Sequence, residues 1–263
     1  MEAEAASWSE FILAKPAFAV TFSSALFRLK PLLLETAPCN TDLTGSLLWR
    51  FIFASVLDCN DNVTLVSTGG DWGALKLLRS LFERTVTAKY LANHPGETNN
   101  FYDFDAIDYK SAMDAIYVES GLSMSPASRA NLDHAAGEAR ARFKLEPCVT
   151  CHRTTRMTSW TPRSMLELST KTGLDYMYFT AWVLPTKLIH PSFYGLEQVI
   201  LGTAPVYNTL YNVHSLLIEL ILIHQRHFVS KSEPTTLMIE SVEQFLSVWT
   251  ISRTDFGLPL RSA

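Results

Sequence analysis

Apolar residues recur along this chain at intervals of three and four, the spacing of helices that bury one face, and nowhere settle into the alternation of a half-buried strand. Residues 7–35 carry Phe11, Ile12, Phe18, Phe22, Leu26, Leu29 and Leu33 at that spacing, with Pro16 and Pro31 as ends or kinks, which predicts one or two helices. Asn40 and Thr41 supply capping oxygens for a helix from Leu43 that is expected to stop at the polar turn Cys59-Asn60-Asp61-Asn62. Residues 63–67 have the β-branched content of a strand but no partner strand, and are read instead as helix broken near Gly69 and Gly70 before a pattern uninterrupted from Asp71 to Asn93. Further helices are predicted over 101–120, closed by Gly121, and from Ser125 and Pro126 through an alanine-rich stretch. Residues 146–159 read as a loop, after which Thr161 as cap and Pro162 at the first helical position start a helix that Gly173 ends. A segment from Asp175 to His190, bent at Pro185, a long helix over 205–229 and a last one from Pro234 complete the pattern. The prediction is an all-α protein, an antiparallel helical bundle with additional N- and C-terminal helices. Residues 1–60 form an N-terminal layer, 61–230 the core and 231–263 a C-terminal helix and tail, expected as one compact body.

The stretch Asp71–Asn93 departs from a simple amphipathic helix. Leu75, Leu78, Phe82, Val86 and Leu91 form an apolar stripe, and Arg79, Glu83 and Tyr90 fall on one side next to it. A charge bordering a buried face loses solvation unless it is paired and hydrogen-bonded. The sequence therefore offers two readings of Arg79 and Glu83: a network that fixes helix register, for which breaking a buried pair would cost about 3–5 kcal/mol, or the lining of a pocket. His190 joins either reading, at a helix end before Pro191, and Tyr176, Tyr178, Lys187 and Trp160 are candidates for walls and donors.

Composition narrows the classes. Hydrophobic residues make up 48% and charged residues 18% of the 263, the balance of a globular chain with a real core. Twenty-two Lys and Arg against 26 Asp and Glu leave a net charge of −4, so no overall basic field points to nucleic acid or anionic lipid. The greasiest run, 213–228, is broken by Glu219, His224, Gln225, Arg226 and His227, too short of the roughly 18 apolar residues that span a bilayer. The opening residues are acidic where a secretory signal is basic, and four cysteines are too few for a disulfide scaffold. A cytoplasmic protein with no membrane association is expected.

Three other constellations carry chemistry. Cys148-Val-Thr-Cys151-His152 has the spacing of covalent haem attachment, but that chemistry belongs to exported proteins, and a zinc site would need ligands from far along the chain. No cofactor or metal is expected from it. Arg129 and His134 could hold a phosphate and move a proton, or lie solvated on a polar helix. His214 and His224 are not at a one-face spacing; His224 and His227 share a face but have no third ligand, and that pair is expected at the surface near a helix C-terminus.

The segment around Arg79, Glu83, Tyr90 and Leu91, with Trp160, Gly173 and the run Ile189-His190-Pro191-Ser192, resembles a helical prokaryotic family of unknown function that is similar to the HEPN superfamily. The resemblance covers about Thr64–Ser192 and implies a HEPN-like core, often dimeric, with Arg79, Glu83 and His190 as its polar signature. HEPN-like proteins include ribonucleases and inactive nucleotide-binding modules. The resemblance thus implies RNA or a nucleotide as partner, possible ribonuclease-like activity and a homo-oligomer. Arg79 would hold phosphate, Glu83 would orient it, and His190 would carry the proton, with Tyr90, Trp160 and Lys187 contacting ligand. The alternative is a non-catalytic helical interaction module in which the same cluster is structural.

Overall fold

The computed structural model describes residues 26–27, 29–31, 33–35, 42–121, 124–143, 159–189 and 206–228. Among these residues there are helices and turns and no strand, so the all-α expectation holds. They fall into two compact units. One takes the chain up to Ala92 together with everything from Leu168 onward, and the other is Asn93–Glu167. Residues 61–230 contribute to both.

In the first unit, α1 is Leu43–Ser67, α2 is Asp71–Asn93, and a long helix near the end of the described chain, Val206–Phe228, packs against α1. Helical residues within 26–35 bury Leu26, Leu29 and Leu33, and the Leu33 carbonyl accepts from Trp49 Nε1 at 2.9 Å. The cap of α1 is Asp42, whose side chain accepts from the Gly45 amide at 2.8 Å; Asn40 and Thr41 lie outside the described residues. Contrary to expectation, α1 does not stop at the polar turn. It runs through Cys59-Asn60-Asp61-Asn62 because two of the polar groups in and beside that stretch have partners on α2. Asn62 is buried and donates to the Ala74 carbonyl at 2.6 Å, while Asp58 pairs with Arg84. Burial pushes the Asp58 carboxyl above its ordinary range, against the lowering pull of Arg84.

The break comes where the glycines stand. Gly69 takes φ +84°, and the amides of Gly69 and Gly70 return to the carbonyls of Val66 and Leu65, closing the last turn of α1 with an αL residue. Leu75, Leu78, Phe82, Val86 and Leu91 are all buried on α2, as their spacing predicts.

In the second unit, α3 (Thr98–Ser120) and α4 (Pro126–Arg142) pack against each other. Ser125 caps α4 and Pro126 opens it, as the sequence predicts. Phe104, Ala139 and Phe143 make the core, with Ile107 and Trp160 packed on it. Trp160 meets the Phe101 ring edge-on at 5.4 Å.

Helix α5 (Met165–Thr172) follows. Its start corrects the sequence reading: Thr161 is not the cap. Ser164 and Glu167 form a reciprocal capping box, Ser164 Oγ accepting from the Glu167 amide at 3.3 Å and Glu167 Oε2 from the Ser164 amide at 2.6 Å. The Thr161 hydroxyl accepts from Arg163 instead. Gly173 ends α5 at φ +71°. The chain then makes a 3₁₀ turn (Asp175–Met177), a π turn (Phe179–Val183) and α6 (Leu184–Ile189) before the long helix, α7 (Val206–Phe228). The Leu184 amide reaches back five residues to Phe179 O, and this wide turn stands directly before Pro185, which has no amide to give. The helix expected from Pro234 lies outside the described residues.

Candidate functional site

Two of the predicted site residues, Arg79 and Glu83, come together on α2, and a third residue completes the arrangement. Arg79 Nη2 lies 2.9 Å from Glu83 Oε1 across one helical turn, and their side chains are 30% and 34% exposed. The same oxygen, Glu83 Oε1, accepts from Trp182 Nε1 at 2.7 Å. The Arg79 guanidinium stands over the Trp182 ring, 5.6 Å from its centroid, so arginine, glutamate and tryptophan close into a triangle. Arg79 Nε is buried and has no hydrogen-bond partner among the described residues.

The π turn brings Trp182 to this position, and Tyr178 braces it: the two rings stack at 5.3 Å and 17°. Tyr178 in turn leans on Phe82 of α2 at 6.5 Å. Between the two rings in sequence, Thr180 Oγ1 accepts from Asn212 Nδ2 of α7 at 3.0 Å. The bent segment is therefore tied to α2 by the triangle and to α7 by a side-chain hydrogen bond. Farther along α2, Lys89 pairs with Glu219 of α7 at 2.7 Å, which explains the acidic interruption of an otherwise apolar helix.

The remaining predicted residues do not join the triangle within the described structure. Tyr90 is wholly buried on α2, and eleven residues of helix separate it from Arg79 by about 16 Å along the axis. Trp160 belongs to the other unit, in the core around Phe104. Lys187 is exposed on α6. His190 lies outside the described residues, as do Cys148, Cys151 and His152. Trp182 escaped the sequence reading because its partner is 99 residues away; the aromatic density of Tyr176-Met-Tyr-Phe-Thr-Ala-Trp182 was the available signal.

Of the other constellations, two fall on described residues. Arg129 is held by Asp114 at 2.7 Å and Asp133 at 3.3 Å and lies 5.8 Å from the Tyr117 ring. Lys110 binds the same two carboxylates at 3.0 and 2.6 Å. Hydrogen bonds to Asp133 and Asp114 raise the Lys110 ammonium, and hydrogen bonds from Lys110 lower both carboxylates. The guanidinium is thus engaged by acids that would repel a phosphate. His134 is exposed, 3.6 Å from Glu138.

One histidine of α7 corrects an expectation: His224 is buried, not at the surface, and His214 is buried as well. His224 packs against Phe228 at 5.2 Å, and burial lowers it to about 4. His227 is exposed and is also lowered, by partial burial and by Arg226. Among the described residues no cluster of histidines, cysteines or carboxylates could hold a metal ion, and no helix is long and apolar enough to cross a membrane.

No curated protein and no solved structure matches the chain. A family model does match, over residues 51–204, a stretch that contains Arg79, Glu83 and Trp182. On that match, which covers more than half of its length, the chain belongs to the family of unknown function DUF5677.

Proposed function

We propose that this chain is a non-catalytic helical interaction module in which Arg79, Glu83 and Trp182 lock the bent segment after α5 onto α2. One observation carries the reading: a single oxygen, Glu83 Oε1, receives both Arg79 Nη2 and Trp182 Nε1 while the guanidinium covers the indole. Each group is engaged by the other two. An incoming phosphate would have to compete with a carboxylate already in contact with Arg79, and that carboxylate repels it. Because both charged side chains are about a third exposed, water screens the pair, and the stabilisation falls below that of a fully buried pair. The test combines melting with ligand titration. Arg79→Ala and Glu83→Ala are expected to lower the melting temperature, and ATP or single-stranded RNA is expected to produce no heat of binding. An Arg79→Ala protein that melts like the parent would refute the lock.

A second reading is favoured by the buried Arg79 Nε, a donor without a partner among the described residues, and by the exposed fraction of the guanidinium. In it Arg79 holds the phosphate of a nucleotide or RNA, Glu83 orients Arg79, and His190 moves a proton, as the resemblance to HEPN-like proteins implies. It predicts RNA degradation or nucleotide binding that both Arg79→Ala and His190→Ala abolish. The same resemblance leads us to expect a homo-oligomer, which sedimentation velocity reads directly.

A further inference from the structure

Helix α3 has one face on α4 and another that nothing described in its own unit covers. Phe104 and Ile107 belong to the packed side, where Phe104 meets Phe143 edge-on at 5.2 Å. On the other side Tyr102, Tyr109 and Ile116 are 55%, 52% and 45% exposed. These three follow one another at intervals of seven, so they form a single stripe along about 21 Å of helix. A scattered exposed apolar residue needs no explanation, whereas three large side chains on one line of a helix make a stripe that can receive the apolar side of another helix.

The flank of the stripe is acidic. Asp105 follows Tyr102 by three residues, Glu119 follows Ile116 by three and Asp108 precedes Tyr109 by one, so all three lie on the same side of the stripe. All three are exposed, and none has an ion-pair partner among the described residues. The other two carboxylates of α3 are engaged internally, Asp103 by Arg142 at 2.6 Å and Asp114 by Lys110 and Arg129. The one lysine of the helix, Lys110, is turned to Asp114 and Asp133. Asp108 feels its neighbour: partial burial and the charge of Asp105 raise its carboxyl above the usual range.

We infer that this face of α3 is a docking surface for a basic amphipathic helix of another protein. The apolar line Tyr102, Tyr109 and Ile116 takes that helix's hydrophobic side, and Asp105, Asp108 and Glu119 take its lysines or arginines. Charge selects this occupant over a second copy of the chain, because α3 carries five carboxylates against one lysine, and pairing it with itself would bring two acidic flanks together. Helix in groove is the mode of recognition that such a stripe supports. The surface shares no residue with the Arg79–Glu83–Trp182 triangle, and its test reads α3 alone.

The probe is a labelled synthetic peptide of about three heptads with Leu at its a and d positions and Lys at e and g. Its fluorescence anisotropy is titrated with the full chain, beside a counterpart in which Glu replaces every Lys. The Lys peptide is expected to bind and to weaken as salt rises, and the Glu peptide is expected not to bind. Tyr109→Asn with Ile116→Asn should weaken the Lys peptide by about tenfold or more, the effect of truncating interface anchors. Asp105→Asn with Asp108→Asn should weaken it and flatten its salt dependence. All four positions are exposed, so parent-like circular dichroism melts are expected, and the Asp pair still decides the matter if the Tyr109 and Ile116 variant melts early. The inference is overturned if the Lys peptide fails to bind the parent or binds both variants as tightly. It is also overturned if the parent sediments as a dimer that the Tyr109 and Ile116 variant abolishes, which would give the stripe to a second copy.

Discussion

Replacing Glu83 by alanine removes two interactions at once, and a double-mutant cycle with Trp182→Phe separates them. The hydrogen bond from Trp182 Nε1 to Glu83 is 2.7 Å long and its acceptor is charged. Bonds of that type contribute about 1.5–3 kcal/mol, and the one-third exposure of Glu83 argues for the lower end, about 1.5 kcal/mol. The ion pair to Arg79, one helical turn away, adds about 0.3–0.5 kcal/mol. Glu83→Ala should therefore cost about 2 kcal/mol. Trp182→Phe loses the same hydrogen bond, part of the ring's packing on Tyr178 and some of its attraction for Arg79, which puts it at about 2.5–3 kcal/mol. Since the hydrogen bond can be lost only once, the double variant should be more stable than the sum of the single costs implies by about 1.5 kcal/mol. Glu83→Gln keeps an acceptor oxygen for the indole and should cost under about 1 kcal/mol. Urea denaturation at pH 7.5 followed by far-ultraviolet circular dichroism measures the parent and the four variants. A coupling within the additivity error of about 0.5 kcal/mol, or a Glu83→Gln protein as unstable as Glu83→Ala, would sink the triangle as a structural unit.

Other consequences are as direct. Asn62→Ala should cost about 1–3 kcal/mol in the same urea assay, because it removes a buried donor whose acceptor, the Ala74 carbonyl, lies 2.6 Å away. His224 is held at about 4 against an ordinary 6.5, so protonation favours the unfolded chain. Its contribution is complete above about pH 6.5 and is lost progressively as pH falls toward 4, in total about 3 kcal/mol. Stability measured from pH 7.5 to 4.5 should show that slope, and His224→Gln should flatten it. Gly173→Ala, at φ +71°, should destabilise by about 1 kcal/mol, whereas Gly137→Ala, exposed within α4 with open space around a new Cβ, should stabilise by about 0.5–1 kcal/mol. Thermal melts of the two variants check both signs.

What could be read from the sequence was local. The limits of α2, the Ser125 cap with Pro126 of α4 and the stops at Gly121 and Gly173 follow from spacing and from the few residues that can end a helix. Ser164-Met-Leu-Glu167 was also local and legible, but Thr161-Pro162 offered a competing start three residues earlier. Misreadings arose where a polar residue is explained by a distant partner. Asn62 looked like part of a turn because its acceptor is on the next helix, and Glu219 looked like an interruption because Lys89 stands 130 residues away. A position near the helix end puts His224 at the surface, yet the described part of α7 around it is mostly buried. At the candidate site the same rule divides the outcome. The Arg79 and Glu83 pair was visible as an i, i+4 spacing, whereas Trp182 enters only through tertiary packing.

The π turn at Phe179–Val183 holds one residue more than an α-helical turn would, so α6 is about 100° out of phase with where an even α-helical winding through those residues would put it. Tyr178 stands at the entry of that turn and Trp182 within it, whereas Pro185 and the other α6 residues follow it. A single-residue deletion after Trp182 would return the segment to an even α-helical winding and swing Lys187 and its neighbours about a quarter turn, with the indole left on Glu83. The wide turn is in this sense a joint of phase: it lets the chain beyond residue 184 change the direction its side chains point without disturbing the triangle behind it.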